Sequence, residues 1–221
     1  MAAVDRHRVR TGLIWATLAG AMLSPVGLAA ASPLLAWRDP VYVTGGFAGI
    51  LAMSLLLLQP LLATGVLPGL SQAGARRVHR WVGGSLVGAV VVHVAALWIT
   101  SPPDMIDALL LASPTPFSIW GVIAMWAVFA AATLAALRRR LRLRPTTWRA
   151  AHRTLATAVV ITAVLHTMLI EGTMETLSKA ALCALVIGAM AAALLTIRSR
   201  KRRAPQKRRP ETTVPTEDAG G

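Results

Sequence analysis

The chain has 221 residues, 55% of them hydrophobic and only 14% charged, with a mean hydropathy of +0.60. That composition excludes an ordinary soluble domain and points to a bilayer, because apolar runs near the roughly 20 residues a helix needs to span hydrocarbon recur along it. A net charge of +14 would suggest nucleic acid for a soluble protein; here the placement of the charge assigns it to membrane topology and anionic lipid, with no nucleic-acid partner expected.

Residues 1–11, with the run RHRVR, read as a basic cytoplasmic N-terminus in which His7 is solvated. Six spans are expected near 12–33, 43–65, 79–99, 117–137, 152–171 and 178–197. They should be helices, since a chain in lipid satisfies its backbone internally and these runs lack the alternation of a barrel strand. The fold class is therefore an all-α membrane protein, a six-transmembrane-helix bundle. The first span keeps two readings, because the basic start and Ala29-Ala30-Ala31 also fit a secretory signal with a small-residue cleavage site. A retained helix is favoured; cleavage would leave five spans in the same orientation.

Gly45, Gly46 and Gly49 open the second span and suggest close helix packing, not a phosphate loop. The third span begins HRWVGGSLVGAVVVHVAALW and the fifth HRTLATAVVITAVLHTML. Between the third and fourth spans SPPDMIDALLLASPTP reads as a loop, and EGTMETLSK turns the chain into the sixth. Cys183, mid-span in the sixth helix, is a small packing residue and, as the lone cysteine, excludes a CxxCH haem attachment site. Residues 198–221 are polar and Pro-containing and are expected to form a disordered cytoplasmic tail after a transmembrane domain at 12–197.

Of the 23 Lys and Arg, only Arg38 and Lys179 fall on the face that also carries Asp39, Asp104, Asp107, Glu171 and Glu175. The positive-inside rule then puts both termini in the cytoplasm of a multi-pass plasma-membrane protein, bacterial in type.

Four of the five histidines form two pairs with one spacing of fourteen residues, His79 to His93 and His152 to His166. On a helix that spacing overshoots four turns only slightly, so both imidazoles of a span share a face roughly 21 Å apart. One span separates the third and fifth, so these run parallel and like ends meet: His79 with His152, His93 with His166. A clamp of two neutral imidazoles is a haem-iron site, so two stacked haems between these helices are expected, held noncovalently. Gly83, Ala89, Ala156 and Thr162 would leave room beside the ligands, and Leu86 and Val159 would pack between the haems. Arg76, Arg77, Arg80, Arg149 and Arg153 would meet the inner haem's propionates and help the two haems differ in potential. Interhelical hydrogen bonding or interfacial placement is the plainer reading of any one histidine; zinc is a weaker rival, because no carboxylate or thiol accompanies either pair.

The HRWVG start of the third span, its partner His93, and the Trp148-x3-His152-Arg153 start of the fifth resemble the ferric reductase-like transmembrane domain. That family takes in ferric reductases, NADPH oxidases and the haem-binding membrane subunit of methionine sulfoxide reductase systems. The resemblance covers about residues 43–197, although cytochrome b of the bc complexes uses similar spacing in a longer chain. It implies that His79, His93, His152 and His166 bind two b-type haems. The methionine sulfoxide reductase subunits have no His aligned with His79, which sets this chain closer to the two-haem reductases. Those reductases usually continue into a flavin and nicotinamide domain, whereas only about two dozen residues follow the last span here, with no GxGxxG.

The expected function is a membrane cytochrome b, an oxidoreductase component with no catalytic residue of its own. It would relay single electrons from a separate flavoprotein or membrane quinol to a ferric chelate, oxygen or another extracytoplasmic acceptor. The outer acidic residues could attract a cationic acceptor, but solvated loop charge is the plainer reading. Two alternatives stand beside it: a haem subunit that reduces a periplasmic partner enzyme such as a methionine sulfoxide reductase, and a non-haem channel, transporter or assembly protein.

Overall fold

The computed structural model describes residues 2–203, which are helical with no strand among them. Seven α-helices follow in order: α1 (Ala2–Ala30), α2 (Pro40–Thr64), α3 (Gln72–Thr100), α4 (Pro102–Leu109), α5 (Ser118–Ala136), α6 (Pro145–Leu169) and α7 (Thr176–Arg203). Six are long and apolar enough to cross a membrane; α4 is the exception. Large apolar side chains such as Trp81, Ile99, Trp126, Ile161 and Leu195 are exposed around the bundle, which is stable only where lipid and not water covers it. The protein is a multi-pass helical membrane protein.

Local chemistry sets the helix ends. The Asp39 carboxylate accepts from the Val41 and Tyr42 N–H groups and Pro40 occupies the first turn, so α2 starts there; Gly65, at φ 63°, ends it in the left-handed conformation. The Ser71 hydroxyl accepts from Gly74 N–H at the start of α3, and Pro145 opens α6. Both helices therefore begin seven residues before their first histidine, earlier than hydropathy alone places the spans. Hydropathy marks where lipid begins, but capping carries the helix on into the interface.

Two further boundaries differ from expectation. The loop after the third span contains α4, started by Pro102 and Pro103 with Asp104 in its first turn. Helix α7 runs on to Arg203, so residues 198–203, expected in the tail, are helical; residues 204–221 and the side chain of His7 lie outside what the structure describes. The Arg200 guanidinium donates to the Thr64 carbonyl at 3.0 Å, tying this extension to the end of α2.

Helix α3 packs along α2 and α6 along α5; α7 lies against α2 and α6, and α1 against α2 and α7. The core joins Leu56 and Leu57 of α2, Leu86 of α3, Val159 and Val160 of α6, and Leu182, Cys183 and Val186 of α7. Helices α3 and α6, which carry the histidines, have no extensive packing against each other. They are held as the facing walls of two helical hairpins.

Candidate functional site: two histidine pairs between α3 and α6

The structure brings His79 to His152 and His93 to His166, with ring centroids 6.3 Å apart in each pair. The ring planes are steeply inclined, by 71° and 79°. Two imidazoles sharing one metal ion through bonds of about 2 Å set their centres roughly 6 Å apart, so both pairs have the separation of a two-imidazole clamp.

Three of the four rings are aimed by a backbone carbonyl on the neighbouring helix. His79 Nδ1 bonds the Gln59 carbonyl at 3.2 Å and His93 Nδ1 the Gly45 carbonyl at 2.7 Å, both on α2. His166 Nδ1 bonds the Phe117 carbonyl, at the start of α5, at 2.9 Å. A carbonyl only accepts, so Nδ1 carries the proton and Nε2 keeps a bare lone pair for an ion between the helices.

His152 is held differently. Its Nδ1 is buried near the Ala131 carbonyl but outside normal hydrogen-bond geometry. Instead the Trp148 indole stacks on the ring, centroids 5.3 Å apart and planes 8° from parallel. Trp148 is itself fixed by donating Nε1–H to the Leu134 carbonyl at 3.2 Å, and the Arg138 guanidinium lies 4.4 Å above its ring.

Glycines separate the two ends. Gly49 and Gly121 lie four residues after the acceptors Gly45 and Phe117, and a Cβ at either would press on a ring: 3.1 Å from His93 Nδ1 at Gly49, 2.7 Å from His166 Nδ1 at Gly121. At the other end the equivalent positions are Ala63 and Ala135, and the carbonyl bond is longer for His79 and unmade for His152. The sequence reading of Gly45, Gly46 and Gly49 as helix packing holds for Gly45, which faces Ala96 on α3, and Gly46 faces Thr173. Gly49 faces a histidine ring instead.

A cavity of about 240 Å³ opens at the His93–His166 end. Apart from the two histidines its lining is mostly apolar, with Leu86 and Val159 toward the middle of the bundle, and Tyr42, Ser118, Thr167, Thr173 and Lys179 as polar members. At the His79–His152 end Arg76, Arg77, Arg80, Arg149 and Arg153 are all exposed on the first turns of α3 and α6; Arg153 donates Nε–H to the Arg149 carbonyl at 3.0 Å. Arg138, Trp148, Gly121 and Lys179 were not among the site residues expected from the sequence. Only Trp148 carried a signal, through the motif it shares with His152.

Among the described residues no group of three or more His, Cys, Asp or Glu forms, so each pair offers an ion two ligands and no more. That is too few for a protein-bound zinc site and the number a porphyrin-held iron needs. Separated walls, the Nε2 atoms left bare on His79, His93 and His166, and the glycines that cradle the His93 and His166 rings fit haem.

A helical membrane protein with paired histidines facing across its bundle is the class these features define. The chain belongs to the family described as ferric reductase like transmembrane component, whose profile matches residues 48–163, and is a transmembrane electron-transfer component of that kind. The match takes in His79, His93 and His152 and stops just before His166. The family typically binds haem. No curated protein and no solved structure matches the chain.

Proposed function

We propose that the protein is a two-haem membrane cytochrome b that carries single electrons across the bilayer, from the face rich in arginine to the face of the 170–175 turn. His79 with His152, and His93 with His166, would hold the irons of two noncovalent b-type haems. The observation that carries this is the repeated clamp: two pairs at 6.3 Å, on parallel helices, with three of four rings set by Nδ1–H to a carbonyl. Bound there, haem iron supplies one-electron redox chemistry; the chain positions it, excludes water from it and tunes it.

Each end of the bundle does a different part of that work. Arg76, Arg77, Arg80, Arg149 and Arg153 face the basic side, where they bind propionates, anionic lipid and the approaching donor, a flavoprotein or a membrane quinol. At the opposite end the acceptor is a ferric chelate, oxygen or a partner protein. The positive-inside rule makes the arginine side cytoplasmic, with both termini there, in the plasma membrane of a bacterium.

The purified protein should show a low-spin b-type spectrum and about two haems per chain by pyridine haemochrome assay. Absence of haem after haem-replete expression would overturn the reading and favour a channel, transporter or assembly role.

A further inference from the structure

We propose that Lys179 is the anion-binding residue of the cavity at the His93–His166 end, its ammonium pairing with a propionate carboxylate of the haem held there. The inference rests on the haem reading above and adds a residue that neither the histidine pattern nor the arginine cluster supplies.

Lys179 stands on the first turn of α7, is 6% exposed and lines the cavity with His93 and His166. Its Nζ donates to one acceptor, the Ile170 carbonyl, at 2.7 Å. An ammonium has three N–H donors, and a single neutral carbonyl compensates its burial poorly. No carboxylate among the described residues pairs with it, and the acids nearest in sequence, Glu171 and Glu175, are exposed. Among the described residues the other basic residue on this side is Arg38, which is exposed, with its guanidinium over the Tyr42 ring at 5.1 Å.

The lining is thus mostly apolar walls with a few hydroxyls, two imidazoles and one buried cation, the complement of a flat apolar macrocycle with an acidic edge. Anchoring the end of α6 through Ile170 is the competing role for Lys179. It accounts for one of the three donors and leaves the charge without a counter-ion. A soluble anionic acceptor is the other source of a carboxylate at this site.

The test uses the full chain purified with its haem, comparing wild type, Lys179→Gln, Lys179→Arg and Arg38→Gln by optical redox titration. Removing a cation beside the iron disfavours the reduced state. Lys179→Gln should raise the ferric-to-ferrous ratio of the His93-end haem at fixed potential about tenfold, a downward shift of about 59 mV for a one-electron couple. The other haem should not move, Lys179→Arg should hold near wild type, and Arg38→Gln should have no effect. With haem, Lys179→Gln should lose the His93-end ligand on dilution more readily than wild type; with haem dimethyl ester the two should lose it equally, because the carboxylate that Lys179 pairs with is gone.

Two bound haems with unchanged potentials in Lys179→Gln would overturn the pairing while leaving the haem reading intact, as would a difference in ligand retention that survives esterification or a change confined to KM for an anionic acceptor. Should Lys179→Gln fail to accumulate, wild type should lose the dimethyl ester from the His93 end on dilution more readily than haem if the pairing exists, and no more readily if it does not. No haem in wild type would remove both readings together.

Discussion

Gly121 of α5 lies directly against the ring of His166 on α6, so close that a Cβ would stand 2.7 Å from Nδ1 and 2.8 Å from Cε1. The Phe117 carbonyl accepts both the Gly121 N–H, at 3.1 Å, and His166 Nδ1–H, at 2.9 Å. Only a residue without a side chain lets the imidazole share that acceptor. Gly121→Ala should therefore turn the ring off its carbonyl and weaken the His93-end haem about 10- to 100-fold, the range seen when partners of metal ligands are lost. Gly49→Ala, where the Cβ would stand 3.1 Å from His93 Nδ1, should cost less because a shift of a few tenths of an ångström relieves it. Haem retention on dilution, followed optically, ranks the two; equal effects would contradict the geometry.

The pairing of like ends makes the four histidines separable. His93→Leu and His166→Leu should each remove one haem, and the double variant should match either single, because one haem cannot be lost twice. His79→Leu and His152→Leu should behave likewise at the other end, whereas His79→Leu with His93→Leu should remove both. Haem per chain is the measurement, and a within-clamp double that loses both haems would refute the assignment.

Ring planes inclined by 71° and 79° carry a spectroscopic expectation. Nearly perpendicular axial imidazoles leave the ferric d orbitals almost degenerate, so both haems should give highly anisotropic low-spin EPR signals. Ordinary rhombic signals at both sites would mean the rings rotate toward parallel when haem binds.

Trp148 should act on one haem alone. Where the other histidines use a carbonyl, His152 uses an indole face 5.3 Å away, a contact worth about 1 kcal/mol. Trp148→Leu should weaken only the His79-end haem, and Trp148→Phe, which keeps an aromatic face but loses the bond to Leu134, should fall between. Matched losses at both ends would point to general unfolding instead.

Orientation is checked independently of haem. Reporter fusions should place residue 105 outside and residues 145 and 210 inside, as the distribution of Lys and Arg requires. A cytoplasmic signal at 105 would reverse the proposed direction of electron flow.

What the sequence alone determined about this protein is the set of properties that run along one axis. Hydropathy counts the spans, and the fourteen-residue interval puts His79 and His93 on one face of α3, as it puts His152 and His166 on one face of α6, since helical rise and rotation are the same in any surroundings. Even α4 was legible in principle, from Pro102, Pro103 and Asp104, but eight residues are too few for periodicity to register. Only the tertiary structure decided what lies beside each ring. The carbonyls at Gly45, Gln59 and Phe117, the clearance at Gly121, the indole over His152 and the burial of Lys179 all depend on how neighbouring helices are rotated against one another. That rotation is set by packing between residues far apart in the chain, and no local pattern encodes it.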